Sequence, residues 1–203
     1  MTLPATRRPP ELRMTEEEFE AWCTADVRAE FADGKIIEMS PVSLIHDRIT
    51  HFLGRLLGNY LEVRPGGQVI GPEFQVRLRG GLRRIPDLLY IADDKAPLLK
   101  PTYLDGAPDI AFEIVSDDSV DRDWRDKFHD YEANGVGEYW IIDPAHRAAR
   151  LYVLVDGHYQ EVPPEDGRLT STAIDGFWLK PAWLWQDPIA GALACLREMG
   201  VLS

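Results

Sequence analysis

Arg83-Arg-Ile-Pro-Asp-Leu-Leu-Tyr-Ile-Ala92, Pro108-Asp-Ile-Ala-Phe-Glu-Ile-Val-Ser116 and Asp121-Arg-Asp-Trp-Arg-Asp-Lys-Phe-His-Asp-Tyr131 decide how this chain folds. The first two are short apolar runs bounded by proline and acidic residues, the pattern of strands buried in a sheet. The third has helical periodicity, with Trp124, Phe128 and Tyr131 at i, i+4 and i+7 forming a core stripe. Alternate residues of a strand share a face, so Asp87 goes with Ile85, Leu89 and Ile91, and Glu113 with Ala111 and Val115. Carboxylates are almost never fully buried without partners, because desolvating one costs on the order of several kcal/mol. A cation shared by both would offset that cost. Lys127 lies inside the apolar stripe of the helix, and an inward lysine beside two inward acids makes a candidate metal-dependent hydrolytic site.

Composition bounds what surrounds that site. At 203 residues, with 45% hydrophobic and 28% charged residues, the chain suits one soluble domain with a substantial core. The formal net charge of −12 argues against an open basic nucleic-acid surface, so any phosphate must be met locally. Cys23 and Cys195 lack metal-ligand spacing, no secretory h-region follows the first residues, and no apolar run is long enough for a membrane span. A cytoplasmic location is the simplest expectation.

Taken in order, residues 1–13 are Pro- and Arg-rich and read as a flexible tail, leaving 14–203 as a single domain. Thr15 with Glu18 forms a capping box for a first helix through Trp22. Val27–Phe31 and Lys35–Met39 are two strands across Asp33-Gly34, a dipeptide suited to a tight hairpin, and Glu30 sits in the first. Ser43–Leu61 carries a helical apolar face from Ile45 to Tyr60. His46 and His51 are five apart and do not share a face as a metal pair would; His51 reads as structural, while His46, in the first turn, is a candidate neighbour of the site. Gln68–Arg79 reads as one strand, returned by Gly80-Gly81 into Leu82–Ala92. Arg77, Arg79, Arg83 and Arg84 surround that turn. They are candidates for DNA backbone contact, against the plainer reading of a solvated hairpin tip. Asp93–Ala107 reads as a loop, Asp121–Asn134 as a helix stopped by Gly135, Glu138–Asp143 as a buried strand, and Arg150–Val155 with His158–Val162 as a hairpin across Asp156-Gly157. The tail holds Phe177, Trp178, Trp183, Trp185 and an amphipathic helix from about Ile189 to Met199, an aromatic cluster suited to core packing or to a homodimer face.

The expected fold class is α/β (α+β), a mixed β-sheet flanked by helices. The blocks E-F-A-D-G-K-I-I-E-M-S-P, I-P-D-L-L-Y-I, P-D-I-A-F-E-I-V-S, D-x-x-x-K-F-x-x-Y and G-V-x-E-Y-W-I-I-D-P together resemble the Uma-type restriction endonuclease family of the PD-(D/E)XK nuclease superfamily, over roughly residues 15 to 160. The resemblance implies a restriction-endonuclease-like sheet, Pro86-Asp87 as the PD element, Glu113 as the second acid and Glu30 as a third. The lysine expected two residues after Glu113 is Val115 here, and the family supplies it from the following helix, which is Lys127.

By that resemblance Asp87, Glu113 and Glu30 would hold Mg²⁺ or Mn²⁺ through hard oxygen ligands, and Lys127 would orient or activate water or stabilise developing charge. His46 and Tyr131 would stand next to these acids. Three functions remain open: a metal-dependent DNA endonuclease, a catalytically silent nucleic-acid- or protein-binding module of the same fold, and a metal-dependent hydrolase of small phosphoesters. A buried ion-pair network without catalysis is the competing account of Asp87, Glu113 and Lys127.

Overall fold

The hairpin at Asp33-Gly34 forms as its dipeptide dictates: both residues take positive φ, 47° and 89°, and Ala29–Ala32 (β1) pairs antiparallel with Lys35–Glu38 (β2). The computed structural model describes residues 13–23, 27–116 and 119–203. Residues 1–12 of the expected tail lie outside the described residues, and Arg13, its last, bridges Lys35. Glu16–Trp22 (α1) starts at Thr15 with both arms of the capping box made. Leu44–Val63 (α2) is capped by the Ser43 hydroxyl and buries Ile49, Phe52, Leu53, Leu56, Leu57 and Tyr60 along one face. At about 1.5–3 kcal/mol for each such side chain, this stripe fixes α2 to the sheet more firmly than helix propensity could.

The next strands depart from expectation. Gln68–Arg79 is not one strand but two, Gly67–Ile70 (β3) and Gln75–Arg79 (β4), and Leu82–Ala92 divides into Leu82–Arg84 (β5) and Leu88–Ala92 (β6). The breaks fall at Gly71-Pro72 and at Pro86, since proline has no N–H to give a ladder. Gly71 has φ of 133°, and a Cβ there would stand 2.7 Å from the carbonyl oxygen of Asp87, so only glycine lets the backbone pass. Each broken run moves from one sheet to another. After a 3₁₀ turn at Asp93–Leu98, Tyr103–Asp105 (β7) pairs parallel with β4, so the segment expected as a loop contributes a strand.

Ile110–Ile114 (β8) leads through a helical stretch into Glu138–Asp143 (β9), parallel to it. That stretch opens with a wide π turn over Arg122–Asp126 and continues as Lys127–Ala133 (α3), ended by Gly135 at φ of 83°. Ala148–Val155 (β10) and His158–Val162 (β11) form the hairpin expected across Asp156-Gly157, and Leu169–Thr170 (β12) pairs with Trp178–Leu179 (β13). Ala192–Glu198 (α4) ends the elements.

The strands form a five-stranded sheet in the order β2-β1-β5-β4-β7, a six-stranded sheet β11-β10-β9-β8-β6-β3 and the ribbon β12-β13. Two mixed sheets replace the single one expected. Alternation along β8 and β9 separates two cores. Ile110, Phe112, Ile114, Trp140 and Ile142 face α2 and α4, while Ala111, Tyr139 and Ile141 face Tyr131, Val76 and Leu104.

Phe177 and Trp183 are buried in the first core, where Tyr60 meets Phe177 edge-on and donates its hydroxyl to the Asp175 carbonyl oxygen at 2.6 Å. Of the two roles expected for these aromatics, core packing or a homodimer face, Phe177 and Trp183 take the first. Buried Glu138 fastens the same region. It accepts from Trp140 Nε1, the Ser171 and Thr172 hydroxyls, and the amides of Thr172 and Ala173. Among the described residues, no helix is long and apolar enough to cross a membrane.

Candidate active site

Pairing of Leu88 with Phe112 sets Asp87, one residue before β6, beside Glu113 on β8. The Asp87 amide donates to the Phe112 carbonyl oxygen at 3.1 Å, and the Ile114 amide donates to Asp87 Oδ2 at 2.7 Å, so backbone groups hold the carboxylate. His46 Nε2 lies 3.0 Å from Asp87 Oδ1. The Ser43 cap sets the first turn of α2, and the Thr50 hydroxyl bonds the His46 carbonyl oxygen at 2.9 Å, which fixes the ring's origin. His46 thus touches the site, while His51 is exposed on the outer face of α2 beside Asp47.

Lys127 is 1% exposed on its side chain, less than Phe128 or Trp124 of the expected stripe. Its Nζ lies 2.8 Å from Glu113 Oε1, 3.1 Å from Glu30 Oε1 and 3.7 Å from Asp123 Oδ1, and it donates to the Ile85 carbonyl oxygen at 3.2 Å. The Tyr131 hydroxyl donates to Glu113 Oε1 at 2.7 Å. Asp123, which sequence reasoning passed over, is buried and receives the Ser119 hydroxyl. Its signal was available: Asp123, Lys127 and Tyr131 stand four apart on one side of a helix.

One ammonium shared among three buried carboxylates sets the electrostatics. Burial would lower the Lys127 pKa, but Glu113, Glu30, Asp123 and Asp87 outweigh it and hold the amine above its ordinary value. Burial likewise pushes Glu30 up, yet Lys127, Arg84 and the Ile85 amide bring it down to about 2. Glu113 is pushed well above the usual carboxylate range by burial, opposed by Lys127 and reinforced by Asp123, Asp87 and Glu30. Asp123 is raised by burial as well, despite Lys127 and Ser119. The site holds more acid than its cation can neutralise.

Glu30, expected as a third metal ligand, is placed otherwise. Its Oε1 accepts from the Ile85 amide at 3.1 Å and from Lys127, and its Oε2 accepts from Arg84 Nη1 at 2.7 Å. Glu30 is not among the residues that line the cavity with Asp87 and Glu113, and its carboxylate is held by Lys127, Arg84 and the Ile85 amide.

The hairpin arginines are likewise engaged. Arg77 meets Glu16 and Asp105, and Arg79 grips Asp33 through two nitrogens. Buried Arg83 meets Glu16, Glu20 and Gln75, and buried Arg84 meets Glu30 and Asp130. The turn is a lattice of carboxylate pairs joining α1, β1 and α3, in place of a free phosphate-binding tip.

Asp87, Glu113, Asp123 and Lys127 line one cavity together with Arg28, Met39–Val42, His46, Ser119 and Arg122. Among the described residues, no group of three or more His, Cys, Asp and Glu side chains is placed to hold a metal ion. Mg²⁺ usually takes one or two carboxylates and fills its octahedron with water and substrate oxygens, so two acids such as Asp87 and Glu113 are the number such a site would need. The excess of buried acid at Glu113 and Asp123 is what a divalent cation would relieve.

Two mixed sheets with flanking helices define a mixed α/β architecture, with acids from neighbouring strands beside a buried lysine. The family model Uma2, described as "Putative restriction endonuclease", matches residues 16–182, and the chain belongs to that family. In fold it is similar to the crystal structure of "a putative nuclease belonging to DUF820" from Anabaena variabilis ATCC 29413, with a TM-score of 0.70 and 17% identity over 85% of this chain and 97% of that one. No curated protein gives a significant match.

Proposed function

We propose that this chain is a Mg²⁺- or Mn²⁺-dependent endonuclease that hydrolyses phosphodiester bonds of DNA at the cavity holding Asp87, Glu113 and Lys127. The observation that carries the reading is the Lys127 ammonium 2.8 Å from Glu113 at a cavity that also receives Asp87, in a chain of the Uma2 family. Asp87 and Glu113 would hold the cation, which supplies a Lewis acid for the phosphate oxygen and a lowered pKa for attacking water.

This chain's own residues do the rest. Lys127, held above its ordinary pKa, stays protonated and so acts as a fixed positive charge toward the developing negative charge, not as a base. Glu30 and the Ile85 carbonyl oxygen aim it. Tyr131 fixes the Glu113 carboxylate and His46 fixes that of Asp87.

The test is cleavage of supercoiled plasmid in Mg²⁺, Mn²⁺ and EDTA by wild type, Asp87→Asn and Lys127→Met, each checked for its fold by circular dichroism. Metal-dependent nicking lost in both folded variants supports the reading. Cleavage that survives Asp87→Asn sinks the assignment. Because Lys127 is fully paired, an ion-pair scaffold with a binding role is the second reading, and neither cleavage nor metal binding would favour it.

A further inference from the structure

The cavity is lined by two arginines whose buried Nε makes no hydrogen bond. Arg28 and Arg122 stand on its walls, and among the described residues their Nε atoms are the buried side-chain nitrogens and oxygens that lack a hydrogen-bond partner. Each arginine is ion-paired without a hydrogen bond at Nε: Glu73 Oε1 lies 3.2 Å from Arg28 Nε, and Asp123 Oδ1 lies 4.0 Å from Arg122 Nε. A guanidinium cannot shed its proton, so a shielded N–H without an acceptor is costly unless a ligand supplies one. Arg122 opens the π turn, a helical irregularity frequent at functional sites, and Arg28 is fixed by the Met39 amide donating to its carbonyl oxygen at 3.0 Å.

We infer that Arg28 and Arg122 form a clamp for a phosphate group of the nucleic-acid backbone, placing it over the carboxylates of the cavity. The inference rests on the nuclease reading and names the residues that bind its substrate. A planar fork of N–H donors matches a phosphate's oxygens, and two such forks lining one cavity can hold one diester between them. The clamp also answers how a chain of net charge −12 takes up a polyanion. The four arginines of the hairpin are hydrogen-bonded to carboxylates, whereas Arg28 and Arg122, each beside one carboxylate without a hydrogen bond at Nε, line the cavity.

The test is binding of a short fluorescein-labelled DNA duplex, followed by anisotropy at low salt in EDTA and in Mg²⁺, with inorganic phosphate as competitor. Full-length wild type is compared with Arg122→Gln, Arg28→Gln, Arg122→Lys and, as a control on an exposed helix face, Arg197→Gln, all checked for fold by circular dichroism. Wild type and the control should bind alike, phosphate should compete, and each of Arg122→Gln and Arg28→Gln should weaken binding roughly tenfold or more, with KM for cleavage rising accordingly. Arg122→Lys keeps the charge but loses the fork, so it should fall between them. Unchanged affinity in both glutamine variants, or wild-type affinity in Arg122→Lys, overturns the clamp and leaves the nuclease reading to its own plasmid test. No wild-type binding in either buffer also overturns the clamp. Plasmid cleavage lost in Asp87→Asn while the glutamine variants bind normally separates the two failures.

Discussion

Lys127 Nζ and Glu113 Oε1 are 2.8 Å apart, yet the carboxyl is pushed up and the amine is pushed up with it. Both directions follow from one imbalance: the lysine has three buried carboxylates to serve and Glu30 also has Arg84. Glu113 therefore carries a cost that the fold retains. For an acid with a raised folded pKa, the native state holds a proton that the unfolded chain has lost, so its contribution weakens as pH rises from the ordinary carboxylate value through the raised one. Glu113→Gln removes this titration, so its stability relative to wild type is expected to rise from pH 5 to pH 8, with cleavage abolished. Urea unfolding at the two pH values checks it.

Glu30 works with the opposite sign. Its folded pKa of about 2 is below the ordinary 4.5, so its stabilisation is fully present above 4.5 and is lost as pH falls toward 2. That contribution is on the order of 3 kcal/mol. Glu16, brought down to about 2 against burial by Arg77, the Gly81 amide and Arg83, acts in the same window. Glu30→Gln should be less stable at pH 7 and lose stability less steeply below pH 4.5, which acid titration followed by tryptophan fluorescence would reveal.

His46 should matter through Asp87 alone. Replacing it by Ala frees one carboxylate oxygen while Ile114 still holds the other, so cleavage is expected to fall about 10- to 100-fold. The thermal midpoint should move little, and a Gln at this position should restore part of the activity. Complete unfolding of His46→Ala would refute a positioning role.

Glu138 is a structural counterpart outside the cavity lining. Its carboxylate gathers backbone and hydroxyl donors from residues 171–173, so Glu138→Ala leaves buried donors without an acceptor. The expected loss is about 3–5 kcal/mol in urea unfolding, with Mg²⁺ affinity of the remaining folded protein unchanged in calorimetry.

Much of this was legible in the sequence because it was local. Thr15 and Glu18, Asp33-Gly34, the stripe of α2 and the inward Lys127 all act within a few residues of themselves. What escaped depends on contacts between distant segments. Nothing near Arg83 or Arg84 announces that Glu16 and Glu30 will take them, and alternation alone carried two strands straight through Gly71-Pro72 and Pro86. Asp123 lay within reach of helical spacing but was lost among its acidic neighbours.

Two peptide groups report on this site from within. The amide of Ile85 ends on Glu30 Oε1 and that of Ile114 on Asp87 Oδ2, so neither is held there by a strand partner's carbonyl. Their exchange with deuterated solvent depends on those two carboxylates staying in place. Each is a built-in spectator, one for the acid that holds the lysine and one for the acid at the cavity, and together they distinguish a disturbance behind the site from one in front of it without any substrate present.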